Sequence, residues 1–367
     1  MQDTTPKKTE LKKSCINCGA ELLYAPGTTE LQCDYCNHTQ EIPESEHGFE
    51  ELELKTYLES LGSHTHSQAI SMIQCKNCGA NQHIEEHYKS LHCVYCTSPL
   101  VLDDMQKEEW ILPGAVLPFQ FDQKKAHQIF QKWVKKLWWA PNKLKKASLD
   151  PQNTKGLYLP YWTFDAQLYA TYTGQRGDYY YVSVPYTTSV NGKSVTRTRQ
   201  ERRTRWTPAS GDISGFVDDT LIKASTQKSG KIPRKISRWN LNLLKPFDSG
   251  YLAGFVTEKY TIPLKDGHLD ATKEAERIAD RWARRDIGGD TQRVHSLSMR
   301  LTEETFKHIL LPVYISAYRY NGKRYNFFVN GQTGTLSGQR PYSFWKIFLF
   351  ILMIIAIIAT IVYFTNQ

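Results

Sequence analysis

Eight cysteines carry the most specific chemistry in this chain, and all of them fall into four Cys-x-x-Cys pairs: Cys15/Cys18, Cys33/Cys36, Cys75/Cys78 and Cys93/Cys96. A Cys-x-x-Cys turn presents two thiolates from one tight knuckle, and a second knuckle across a short hairpin completes a tetrahedral four-thiolate site. Both sets have fourteen residues between their knuckles, and both first knuckles read Cys-x-Asn-Cys-Gly-Ala. Gly19 and Gly79 suit the positive φ that such a turn favours. The expectation is two zinc ribbons, each holding one Zn2+; iron in a rubredoxin-like site is compatible with the same ligands. A closed four-thiolate site is structural, because it lacks the open coordination position that catalysis requires. His38, His64, His66, His83, His87 and His92 crowd the same region, but four thiolates leave them no vacancy.

The 271 residues after Cys96 contain no cysteine. A secreted disulfide protein scatters its cysteines, whereas clustered pairs indicate metal ligands in a reducing compartment. The opening MQDTTPKKTELKKS has no apolar run and does not read as a signal peptide. Composition excludes disorder: of 367 residues, 40% are hydrophobic and 23% charged. The net charge of +9 favours anionic partners, either nucleic acid or anionic lipid.

The other end of the chain is apolar. Residues 347–364 are eighteen positions without a charge, about 27 Å as a helix, enough to cross a bilayer core. Lys323, Arg324, Arg340 and Lys346 precede this span, and only Thr365, Asn366 and Gln367 follow it. The positive-inside rule then predicts a tail-anchored protein of the inner (cytoplasmic) membrane, with residues 1–343 in the cytoplasm.

Between ribbons and span, residues 111–342 read as one α+β unit. Two Asn-Gly dipeptides lie between strand patterns: Asn191-Gly192, between 179–190 and 193–206, and Asn321-Gly322, between 313–320 and 323–329. One helix is expected from Asp122 as N-cap to near Pro141, with Ile129, Trp133, Val134 and Leu137 on one face. Another is expected over ATKEAERIADRWARRD, ending at Gly288-Gly289. The order of features suggests an internal duplication. Leu117-Pro118, a helix, Leu159-Pro160 and a hairpin are followed by Ile262-Pro263, a helix, Leu311-Pro312 and a hairpin. The offsets are 145 residues at the first prolines and 152 at the second.

Catalytic signatures are missing from this unit. Gly192-Lys193-Ser194 resembles the end of a Walker A loop, but position 187 is Thr and the context is a hairpin. No DExx box, helical His-Glu-x-x-His, Gly-x-Ser-x-Gly or Gly-x-Gly-x-x-Gly occurs. Asp286 and Asp290 flank a Gly-Gly turn that could hold a divalent ion but reads better as a helix stop. An enzyme site, if present, would draw on Asp165, Asp178, Asp218, Asp219 or His308. Arg197, Arg199, Arg203 and Arg205 fall on one strand face, interrupted by Glu201. A two-residue turn at 191–192 puts Tyr186 opposite Arg197 and Tyr180 opposite Arg203. Such a face can bind phosphates or remain a solvated hairpin surface.

The ribbons, then LPFQF, GLYLPYWTFDAQLYATYTGQRGDYYY, TRWTPASG, RRDIGGD, FKHILLPVYISAYRY, VNGQTG and the terminal span resemble, over nearly the whole chain, a bacterial zinc-ribbon membrane-protein family. Its members often carry the label "primosomal protein N′ (replication factor Y), superfamily II helicase" or "TFIIB-type zinc ribbon-containing protein". The resemblance implies an architecture but no activity. A helicase needs a Walker A lysine and parallel-sheet motor lobes, which these residues do not provide.

The expected architecture is α+β: ribbon 1 over 1–40, an acidic linker able to form one short helix over 41–72, ribbon 2 over 73–102, a mainly antiparallel domain over 103–342, and a transmembrane helix over 343–364. The expected function is a membrane-tethered adaptor that recruits a cytoplasmic protein. Nucleic-acid binding through the ribbons and the 193–206 hairpin strand is the alternative, and an enzyme site within 103–342 a third. The oligomeric state is open.

Overall fold

The computed structural model describes residues 14–43, 51–59, 67–83, 91–95, 98–100, 106–141, 154–190, 193–226, 233–320, 323–339 and 342–365. Ribbon 1 is a three-stranded antiparallel sheet of β1 (Leu22–Tyr24), β2 (Glu30–Cys33) and β3 (Thr39–Glu41). A short helix, α1 (Leu54–Glu59), lies in the acidic segment, as expected there. β4 (Ser67–Gln74) and β5 (Asn81–His83) flank the first knuckle of ribbon 2, and β6 (Gln106–Ile111) pairs with β4. The body follows as β7 (Ala115–Val116), α2 (Gln123–Lys136), β8 (Thr154–Val190), β9 (Lys193–Lys223), β10 (Val256–Glu258), α3 (Leu264–Ile287), β11 (Thr291–Tyr320), β12 (Lys323–Asn330) and β13 (Leu336–Gly338). α4 (Phe344–Thr365) is the last described element.

The centre of the body is the antiparallel pair β8–β11. The run Gly156–Phe164 is apolar almost without alternation, as expected for a strand covered on both faces. Even-numbered Tyr158 joins a cluster with Leu310, Tyr314, Phe130 of α2 and the ribbon 1 residues Cys15, Leu22, Tyr24, Leu31 and Cys33. Odd-numbered Leu157, Leu159 and Tyr161 join Ile309, Leu311, Val313 and the ribbon 2 residues Cys75, Cys93, Val94 and Tyr95. Period-two geometry therefore sends the two ribbons to opposite faces of one sheet. Backbone bonds reinforce both attachments. Gly27 N donates to Phe119 O at 2.8 Å and Tyr24 N to Ala253 O at 3.1 Å, while β5 pairs antiparallel with β10.

Leu159 lies directly opposite Leu311 in this ladder, and Tyr158 opposite Pro312. Outside the pair, β7 runs parallel to β11 at Ile309 and Leu310, and β10 runs parallel to β8 at Leu157 and Tyr158.

Both hairpins close between paired flanks, Val190 opposite Lys193 and Tyr320 opposite Lys323. The Asn-Gly dipeptides themselves lie outside the described residues. The strands are far longer than the sequence pattern suggests. β9 pairs with β8 as far as Val190, whereas β11 leaves β8 at Gly177. A two-stranded arm from Asp178 to Arg205 therefore continues beyond the three-stranded part by thirteen residue pairs, about 43 Å.

α2 starts at its expected N-cap, where the Asp122 carboxylate accepts from Lys125 N at 2.8 Å. Its core residues are Ala126, His127, Phe130 and Val134, and it ends at Lys136, before Pro141. α3 starts seven residues earlier than expected, at Leu264, and stops as expected at Gly288, φ +68°. The missed turn contains Gly267, a poor helix former that is required for packing. Gly267, Ala271, Ala275, Ala279 and Ala283 form a stripe of small buried residues that lets α3 lie close on Trp162, Leu168, Ala170 and Tyr172 of β8. A Cβ at Gly267 would come within 2.7 Å of Trp162 Cδ1. Gly267→Ala, which stabilises an isolated helix, is expected to destabilise this protein by about 1–3 kcal/mol, measured as a lower denaturation midpoint.

α4 is apolar on every side, with none of it buried against the body, and is long enough to cross a membrane. Its first turn is held to the loop after α2, where Lys346 Nζ donates to Trp138 O at 3.1 Å and Ala140 O at 2.9 Å.

Candidate metal centres

In ribbon 1 the four thiol sulfurs lie within 4.8 Å of one another. Cys15 and Cys36 Sγ are 3.5 Å apart, as are Cys18 and Cys33 Sγ. Tetrahedral ligands at a zinc–sulfur distance of about 2.3 Å stand about 3.8 Å apart, so the donor set fits a tetrahedral ion. The knuckles are built alike. Gly19 N donates to Cys15 O at 2.8 Å and Asn37 N to Cys33 O at 2.9 Å, with Gly19 and Asn37 at positive φ. The His38 amide favours the Cys36 thiolate and lowers its pKa to about 6. The Ala20 amide acts the same way on Cys18, but desolvation and the neighbouring thiols outweigh it and push Cys18 up to about 12. Four such groups cannot all ionise side by side without a cation among them.

In ribbon 2, Cys75, Cys78 and Cys93 sulfurs lie within the same 4.8 Å limit; Cys96 falls outside the described residues. Gly79 N donates to Cys75 O at 2.7 Å with φ +73°, repeating the first ribbon's knuckle. Gln82 braces the site, donating to Cys93 Sγ at 3.3 Å and accepting from Val94 N at 3.2 Å.

The two ribbons differ in what their knuckles face. Tyr35, inside the second knuckle of ribbon 1, is 84% exposed, and Ile16, inside the first, is 82% exposed. The corresponding Tyr95 of ribbon 2 is 0% exposed, and its hydroxyl donates to the buried Glu258 carboxylate, which also accepts from Ser225. Burial, and then Glu258, hold the Tyr95 pKa well above the tyrosine range. Sequence reasoning treated the ribbons as equivalent. The sequence signals of the difference are Asp34 against Val94 in the second knuckles and Ile16 against Lys76 in the first. Of the six histidines, His38 supplies a backbone carbonyl to Cys33 N, and His64, His66 and His87 lie outside the described residues.

The arginine strand has the expected register, with Tyr186 opposite Arg197 and Tyr180 opposite Arg203. Arg199 lies opposite Val184 and Arg205 opposite Asp178. Glu201 stands 3.9 Å from both Arg199 and Arg203. Arg205 lies over the Tyr180 ring at 5.5 Å, and Arg202, on the other face, over Tyr179 at 4.3 Å. The side chains of Arg199 and Arg203 are more than half exposed.

The aspartates divide. Asp165, Asp218 and Asp219 come together, but Asp178 pairs with Arg176 at 3.0 Å on the arm. His308 packs against Trp162 and Tyr260, and burial lowers its pKa to about 4. These five residues therefore do not form one cluster. A shallow groove of about 440 Å3 lies instead on the uncovered face of the three-stranded part, between Tyr169, Asp212 and Arg300. Asp286 and Asp290 are engaged structurally: Asp286 accepts from Tyr172 OH at 2.5 Å, and Asp290 from Tyr179 N at 2.6 Å.

No protein-family model matches the chain. Among curated proteins it is similar to "Uncharacterized protein YdjG" of Bacillus subtilis (strain 168), with 26% identity over 246 residues, 65% of this chain. The matched region spans 66% of that relative's length.

Cys15, Cys33, Cys75 and Cys93 belong to the two main cores. A strong chelator should therefore lower the melting temperature of the whole body in one transition, read by tryptophan fluorescence; an unchanged body transition would contradict this. Asp165 is pushed up to about 6, chiefly by burial. Between the unfolded value, about 3.9, and about 6, the folded state holds a proton that the unfolded state has released. This group's effect on stability is therefore most favourable at low pH and is lost as pH rises through about 6. In buffer without added divalent cations, Asp165→Asn should gain stability relative to wild type across that window, measured as a pH-dependent difference in melting temperature.

Proposed function

We propose that this chain is a membrane-anchored zinc-ribbon adaptor, in which two Zn2+ complete the cysteine sites and ribbon 1 recruits a cytoplasmic protein to the inner membrane. The observation that carries this reading is the asymmetry of the ribbons. Ribbon 2 spends its knuckle tyrosine on the body, whereas ribbon 1 presents Tyr35 and Ile16 to solvent from two knuckles that share one site. Exposed aromatic and aliphatic side chains on a rigid, metal-braced turn have the character of interface anchors. α4 is the anchor in this reading, and the basic residues before it support a cytoplasmic orientation for the bulk of the chain.

The same reading takes the body as two β-α-β-β halves. It is supported by the palindromic order β7–β11–β8–β10 and by the pairing of Leu159 with Leu311, residues offset by the 152 positions seen in the sequence. The first half carries the arm and the second leads into α4.

Nucleic-acid binding is the second reading, favoured by the free arm with its exposed arginines and tyrosines. β8 runs from Thr154, level with β12, to the arm tip, while α2 packs against β12 and leads to the contact with α4. The arm and the anchor thus leave the sheet at opposite ends, which favours a soluble anionic partner over the headgroups of the same membrane.

One experiment separates the readings: affinity purification of detergent-solubilised wild type beside Ile16→Ser/Tyr35→Ser and Arg199→Ala/Arg203→Ala, at low and high salt. Cysteine variants are avoided because they break the cores. The adaptor reading expects a salt-resistant protein partner that is lost only in the Ile16/Tyr35 variant, with zinc content retained. Salt-sensitive nucleic acid lost only in the arginine variant would replace it, and partners unchanged in both variants would defeat both.

A further inference from the structure

Both ladders of β8 break at one level, where the three-stranded part leaves the body. The β8–β9 register passes from Phe164↔Thr220 to Ala166↔Val217, so Asp218 and Asp219 together oppose Asp165. The β8–β11 register passes from Asp165↔Thr305 to Gln167↔Thr302, giving a second bulge. Bulges re-aim side chains, and here the carboxylate oxygens of Asp165, Asp218 and Asp219 gather within 4.8 Å of one another.

Asp165 is 1% exposed. Its Oδ1 accepts from Asp219 N, but its Oδ2 has no hydrogen-bond partner, nor does the buried Oδ1 of Asp219. The nearby cation is Lys307. Its Nζ bonds Glu51 at 2.8 Å and stands 3.9 Å from Asp165 Oδ2 and 3.7 Å from Asp219 Oδ1, beyond hydrogen-bond length. Three carboxylates, those of Glu51, Asp165 and Asp219, thus surround one ammonium, and Asp218 adds a further negative charge beside Asp165 and Asp219. Two oxygens taken from water are left with no donor, an arrangement that costs free energy unless a cation supplies the missing charge.

We propose that Asp165, Asp218 and Asp219 bind one hard divalent cation, with water completing its shell. The donors are all carboxylate oxygens, a set that selects Mg2+, Ca2+ or Mn2+ over the softer ions that cysteine thiolates take. Asp165 comes from the central strand and the other two from the β9 bulge. A bound ion therefore ties β8 to β9 at the root of the arm, while Lys307 stays with Glu51 as a second counter-charge. The site shares no ligand with the ribbons and is independent of the adaptor reading.

The test uses full-length, zinc-loaded protein in detergent, titrated separately with CaCl2, MgCl2 and MnCl2 by calorimetry, with melting temperature followed in parallel. At least one of the three should bind with one equivalent and raise the melting temperature. Asp218→Asn, at an exposed position chosen to preserve folding, should weaken that binding about tenfold or more, and Asp165→Asn should abolish it. No binding of any of the three up to about 10 mM would overturn the proposal and leave Lys307 as the sole counter-ion. Undiminished binding in Asp218→Asn would overturn it as well, whether or not Asp165→Asn folds.

Discussion

Everything in this protein is hung on five residues of β8, Leu157 to Tyr161, paired with β11 and covered on both faces. Burying each large apolar side chain there contributes about 1.5–3 kcal/mol, and the alternation of the strand decides which ribbon each one touches. Tyr158 points to ribbon 1, while Leu157 and Leu159 point to ribbon 2. A small metal module lacks the apolar residues for a core of its own. Here each module borrows the core of the sheet, so the cysteine clusters and the sheet stabilise one another.

That sharing limits what the ribbons can do. A knuckle used to cover the sheet is not available to a partner, as with Tyr95 against Glu258. The ribbon 1 knuckles, turned outward, keep Ile16 and Tyr35 free of the core. Two modules with nearly the same motif thus acquire different surroundings.

Beyond the body, the sheet narrows in steps. α3 covers one face of the three-stranded part through its stripe of small residues, which permits close approach at Trp162 and at Gly215, where Trp282 lies. α3 ends at Ile287 and β11 is unpaired from β8 beyond Gly177, so only β8 and β9 continue into the arm. Acidic residues mark the first step, with Asp165, Asp218 and Asp219 on one side and His268 bonded to Glu304 at 2.6 Å on the other. Tyrosine–arginine stacking clothes the arm itself, where no third layer supplies apolar cover.

Much of this was legible in the residues alone, because the forces involved are local. Cysteine spacing determines which thiols can meet, eighteen uncharged residues determine a helix able to cross a bilayer, and Asp122 starts a helix through its side-chain cap while Gly288 ends one through its positive φ. The tyrosine–arginine register was legible too, since a two-residue turn leaves the strands one way to pair. Other features depend on residues far apart in the chain and had no local signature. The first turn of α3 looked unhelical because Gly267 answers to Trp162, more than a hundred residues earlier. The aspartate cluster needs a bulge that brings a doublet, unremarkable in its own strand pattern, opposite Asp165. The ribbons' different surroundings follow from which face of β8 each one covers. Sequence by itself determined the cysteine pairs, the long apolar helix and the hairpins, where neighbours along the chain settle the matter; only tertiary structure decided which knuckle is buried, which carboxylates meet and how far the arm reaches, because those depend on packing across the sheet.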